Sequence, residues 1–172
     1  MLDKQLEQAL NDQINFEFYS SYLYLNMSAQ LAAMNLDGAA HWMRVQAQEE
    51  VTHAMKIYDF LIDRDAEVCL QNIETIGEKY NSLVEIYEVT VGHERKVTCR
   101  FNDLIDLALE KRDHVTNSLL QWFISEQIEE EANVRTILEK AKMLSSSPDS
   151  LYLLDKELGA RVASAPIAEK IN

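Results

Sequence analysis

Four long stretches of this chain repeat apolar residues every three or four positions, and each repeat is broken near its middle by one glutamate: Glu17, Glu50, Glu94 and Glu130. A carboxylate held inside a helical bundle without a cation costs several kcal/mol in lost hydration. A fold that buries all four must therefore bring a cation to them. Around Glu17 the apolar stripe is Leu10, Ile14 and Tyr24, and around Glu50 it is Met43, Ala47, Ala54, Ile57 and Leu61. Glu94 interrupts Tyr87, Val91, Thr98, Phe101 and Ile105, while Glu130 interrupts Phe123, Val134, Ile137 and Ala141. His53 lies three residues after Glu50 on the same face, and Gln127 one turn before Glu130. Taken singly, any of these glutamates reads as part of a solvated face; four in register do not. Hard oxygen ligands with one imidazole suit iron or manganese better than copper or structural zinc. Two metals bridged by Glu50 are the natural arrangement.

The periodicity predicts an all-α chain of few, long helices, in keeping with only 4 Gly and 2 Pro among 172 residues. A first helix is expected from about Asp3 to Met34, and a second from about Gly38 to Arg64 with Asp37 as its N-cap. The stretch Asp65 to Asn81 loses the period. Ser82 with Glu85 then forms a capping-box pattern that opens a third helix reaching about Lys111. A tight break at 111–113 leads into a fourth helix ending near Ser145, and Ser147 and Pro148 fit the N-cap and first position of a short fifth. Short links make the first and second, and the third and fourth, helices antiparallel neighbours. The middle connector of ~16 residues reaches about 50 Å when extended, enough to cross helices of about 45 Å. The expected architecture is an antiparallel four-helix bundle with one long crossover and a short fifth helix over 1–160, followed by a tail, 161–172, that is loose from Ala163 onward.

A net charge of −13 argues against nucleic acid or an anionic membrane as partner, because both require clustered Lys and Arg. The N-terminal residues carry no apolar signal core, and no stretch approaches the ~18 uninterrupted apolar residues of a membrane span. A cytoplasmic protein is expected. Cys69 and Cys99 are too far apart for a Cys-based zinc site and read as two reduced thiols.

Several local segments together resemble the prokaryotic non-haem ferritins, members of the ferritin-like di-iron carboxylate proteins, over nearly the whole chain. They are NFEFYSSYLYL from Asn15 to Leu25, HWMR from His41 to Arg44, QEEVTH from Gln48 to His53, WFISEQIEEE from Trp122 to Glu131, and LDKEL from Leu154 to Leu158. The resemblance implies that Glu17, Glu50 and His53 hold a first iron, that Glu50, Glu94 and Glu130 hold a second, and that Gln127 sits beside them. Tyr24 matches the family's tyrosine near the di-iron centre, supplying an electron or a hydrogen bond. Glu49, Glu126 and Glu129 match a third iron site facing the cavity. The implied activity is ferroxidase: Fe(II) is oxidised to Fe(III) by dioxygen or peroxide and stored as a ferric oxide mineral in a homo-oligomeric cage of 24 subunits.

Departures from relatives sharpen the expectation. The methionine with which bacterioferritins hold haem falls at Thr52, and Met55 lies on another face, so no haem is expected. The acidic positions of animal ferritin channels fall at Asn117 and Leu120. Two other readings stand beside this one. A rubrerythrin-like di-iron peroxidase adds a four-Cys domain and a second histidine, where this chain has Asn133. A metal-free bundle acting as an interaction module requires the inward glutamates to be solvated.

Overall fold

The structure is a computed structural model that describes residues 2–74 and 76–162. Its helices are α1 (Lys4–Ala33), α2 (Asp37–Asp63), α3 (Leu83–Glu110), α4 (His114–Leu144) and α5 (Pro148–Leu158), with no strand among the described residues. The tail expected to be loose, from Ala163, lies outside the described residues.

Local chemistry sets most of the ends. Asp3, Ser82, Asp113 and Ser147 each accept a backbone N–H from the first turn of α1, α3, α4 and α5. Glu85 reaches back one residue beyond the cap and accepts the Asn81 N–H at 2.7 Å, a variant of the capping box. The expected Asp37 cap is displaced: α2 starts at Asp37 itself, and Leu36 before it offers no side-chain acceptor. At the other ends, Asn35, Asp65 and Arg112 adopt left-handed φ of 60°, 52° and 54°. The next N–H in each case closes a six-residue ring, Leu36 to Leu31, Ala66 to Leu61 and Asp113 to Ala108, so three helices stop in Schellman turns without glycine.

Two apolar clusters divide the interior. One joins the C-terminal half of α1 (Leu23 to Leu31), the start of α2 (Ala39 to Ala47), the start of α3 (Leu83 to Tyr87), the end of α4 (Val134 to Ala141) and α5 (Leu154, Leu158). The other joins Leu6 to Ile14, Ala54 to Leu61, Val97 to Ala108, and Leu120 with Phe123. Since the N-terminal halves of both α2 and α3 lie at the first cluster, these helices run parallel and the chain between them must traverse the bundle. It does so along α1. Asn11 holds the Glu67 carbonyl at 2.9 Å and the Cys69 N–H at 2.6 Å; Asn15 holds the Cys69 carbonyl and the Gln71 N–H; Gln30 holds the Glu78 carbonyl and the Tyr80 N–H. These amides give a strandless connector the partners its backbone needs.

Candidate metal centre

The gap between the two clusters is where the chain places its carboxylates. Glu17 falls between Ile14 and Leu23, Glu50 between Ala47 and Ala54, Glu94 between Tyr87 and Val97, and Glu130 between Phe123 and Val134. Their exposures are 0%, 2%, 0% and 7%, which removes the solvated-face reading for all four.

Glu17, Glu50 and His53 present ligand atoms that all lie within 4.8 Å of one another, the single such grouping among the described residues. The His53 Nδ1 is 3.6 Å from Glu50 Oε2, and its ring stands edge-on to Trp122 and Phe123 with centroids 5.7 and 5.8 Å away. Those rings fix the imidazole plane. Oε2 of Glu17 and Oε2 of Glu50 are buried with no hydrogen-bond donor among the described residues. Burial, reinforced by the Glu50 charge, pushes the Glu17 carboxyl well above its usual range; burial and then Glu94 do the same to Glu50. Two buried carboxyls with ligand atoms within 4.8 Å of one another call for a proton or a metal cation, and the mixed oxygen and imidazole donors fit iron.

Glu94 and Glu130 approach from α3 and α4. Glu94 accepts the Tyr24 hydroxyl in a very short hydrogen bond and the Gln127 amide at 3.1 Å. Burial raises its carboxyl, and also lifts the Tyr24 phenol far above its usual value, which keeps that hydroxyl a donor. Glu130 accepts from Gln46 Nε2 at 2.9 Å, and burial, aided by Glu94, raises it to about 7. Glu94 and Glu130 remain outside the tight Glu17, Glu50 and His53 grouping. The three residues expected at a third site are not gathered: Glu49, on α2, pairs with Arg161, Glu126 is half-buried and Glu129 is exposed. Leu120, one of the two channel positions, is fully buried in the second apolar cluster and cannot line a channel.

Sequence reasoning missed the amides behind the carboxylates. Gln13 donates to Glu17 Oε1 at 2.7 Å and accepts from Arg100 Nε at 2.8 Å, while Gln46 donates to both Glu50 and Glu130. Each glutamine stands four residues before its glutamate on a buried stripe, a readable signal. His93 was also missed. It is buried among Phe16, Tyr19 and Tyr24, bonded to Ser20 Oγ at 2.7 Å, and lowered to about 4 by burial. It is a neutral core histidine beside Glu94.

Comparison with known proteins agrees with this geometry. Residues 7–144 match the ferritin-like domain of the ferritin family. The bacterial non-heme ferritin of Escherichia coli O6:H1 is 38% identical over 158 residues, covering 92% of this chain and 96% of that one. That of Campylobacter jejuni is 38% identical over 156 residues, covering 91% and 93%. Among solved structures, the open-pore ferritin of the archaeon Archaeoglobus fulgidus superposes with a TM-score of 0.93 at 40% identity, covering 94% of this chain and all of that one.

Proposed function

Because the chain belongs to the ferritin family, and so serves iron storage, we propose that the carboxylate centre is an intrasubunit ferroxidase site of the bacterial non-haem type. The observation that carries the reading is the pair of buried oxygens without a hydrogen-bond donor, Glu17 Oε2 and Glu50 Oε2, on carboxyls grouped with His53.

Ferrous iron is the substrate. The first ion is held by Glu17, Glu50 and His53, and the second by Glu50, Glu94 and Glu130, with Gln127 beside it. Entering ions displace the protons that burial keeps on these carboxyls, so binding releases protons. The helices supply a fixed, negatively charged cradle. Carboxylate ligands stabilise Fe(III) more than Fe(II), which makes loss of one electron from each ion downhill. Dioxygen takes both electrons and two protons and leaves as hydrogen peroxide; where peroxide is the oxidant, it takes two electrons and two protons and leaves as two waters. Tyr24 donates its hydroxyl to Glu94 and so steadies that carboxylate for the second ion. Glu49, Glu126 and Glu129 would take a third ion once Glu49 releases Arg161 and the three side chains come together. Ferric product then mineralises in a homo-oligomeric cage of 24 subunits in the cytoplasm, where the chain's net charge of −13 attracts cations. No described helix is long and apolar enough to cross a membrane.

The test is to mix metal-free protein with excess Fe(II) in air, follow ferric colour, and locate iron and protein by size-exclusion chromatography. Rapid colour and iron co-eluting in one very large particle, both lost in Glu50→Ala, are expected. Oxidation no faster than in protein-free buffer would remove the ferroxidase reading.

A further inference from the structure

Arg161, near the end of the described chain, reaches an amide that holds two of the centre's carboxylates. Arg161 lies just beyond α5, its guanidinium stacked over the Trp42 ring with 4.1 Å to the centroid. Its Nη1 donates to Gln46 Oε1 at 2.8 Å and reaches the Trp42 carbonyl at 3.5 Å, while Nη2 pairs with Glu49. The Arg161 carbonyl is 2.9 Å from His41 Nε2. The backbone and both ends of the side chain are therefore held.

Gln46 itself is fully buried, and its Nε2 donates to Glu130 Oε2 at 2.9 Å and to Glu50 Oε1 at 3.3 Å. An amide can be turned end for end, and what surrounds it decides which way it sits. A guanidinium only donates and a carboxylate only accepts. With Arg161 on one side and two carboxylates on the other, a single orientation satisfies every atom; the opposite one sets NH2 against guanidinium and carbonyl oxygen against both carboxylates. Gln46 thus transmits the position of α5 to the oxygens of Glu50 and Glu130.

We propose that Arg161 is a positioning residue for the second iron: by fixing the Gln46 amide, it holds Glu50 and Glu130 at the separation and orientation that ion needs. The inference rests on the two-iron reading above. Neighbours that touch a ligand and not the metal, as Gln46 does, set metal affinity by about 10- to 100-fold, and Arg161 acts through that amide. Of the first ion's ligands only Glu50 bonds to Gln46, at 3.3 Å, whereas both Glu50 and Glu130 of the second do, so the first ion is the less sensitive of the two.

Co(II), which oxygen does not oxidise under these conditions and whose visible absorption reports its ligands, separates the two ions in a titration of the intact metal-free protein. The parent is expected to bind two Co(II) per chain. Arg161→Leu, which keeps an alkyl chain against Trp42 and loses the donors, should weaken the second by about tenfold and the first, which shares only Glu50, by less. Gln46→Leu should do the same, and the double variant should match Gln46→Leu alone, because Arg161 acts through that amide. An unchanged second affinity in Arg161→Leu overturns the proposal. So does an additive double variant, which would mean that loss of Arg161 acts by loosening α5 as a whole. A parent that binds fewer than two Co(II) defeats the two-iron reading itself, whereas a parent that binds two with an unaffected Arg161→Leu defeats this role alone.

Discussion

At the scale of single residues, the centre trades stability for binding. A carboxyl whose proton is held more tightly folded than unfolded favours the folded state below its unfolded value, 4.5 for Glu130, and loses that advantage as pH rises through its folded value of about 7. For Glu130, only 7% exposed, the loss is on the order of 3 kcal/mol, and Glu17, Glu50 and Glu94 shift in the same direction. The metal-free protein should therefore unfold at progressively lower urea as pH rises from about 5 to 8. Glu130→Gln should flatten that slope and stabilise the metal-free protein at the alkaline end, while weakening the second ion; an unaltered slope would show that Glu130 is ionised throughout. The burial of these glutamates was legible because a helix face repeats at fixed spacing, and Glu50 with His53 follows from the same arithmetic. Gln13 and Gln46 were equally legible in principle, at four residues before their glutamates, but an amide on a buried stripe carries no obvious chemistry until its partner is known. Arg161 was not legible at all, since its bond to Gln46 joins positions 115 apart.

Among the elements, the helix starts show how far local rules extend. Four helices carry their own N-cap, and two of those residues, Ser82 in its pattern with Glu85 and Ser147 ahead of Pro148, were readable as sequence patterns. α2 does not follow. Its first turn is capped from a distance, with Gly38 N–H and Ala39 N–H donating to the two oxygens of Asp155 on α5 at 3.1 and 2.8 Å. A carboxylate at a helix N-terminus is favoured both by these bonds and by the helix dipole. Asp155→Ala should cost about 1–2 kcal/mol in urea unfolding, more than removal of an exposed acid elsewhere on α5 such as Asp149. Equal costs would mean that α2 holds its first turn unaided. The crossover taught a similar lesson. Its length predicted that it spans the bundle, but not that Asn11, Asn15 and Gln30 would take the place of a neighbouring strand.

In the whole molecule, one missing side chain decides whether these parts meet. A Cβ on Gly38 would stand 1.8 Å from the Asp155 carbonyl oxygen and 3.0 Å from the Gly159 nitrogen, so no larger residue fits without driving α5 away from α2. Both atoms are backbone and have no rotamer to escape into. Gly38→Ala should leave the four-helix bundle folded, lower its thermal midpoint, and expose Trp42, on which Arg161 is stacked, to a fluorescence quencher. Unchanged quenching would show that α5 can shift without releasing the arginine. The contact also has a meaning along the time axis of synthesis. The cap of the second helix is made by residue 155, and the guanidinium that orients Gln46 comes later still, at residue 161. All four long helices are translated before either exists, so a growing chain can gather its carboxylates early but gives them their final setting only when translation is nearly finished.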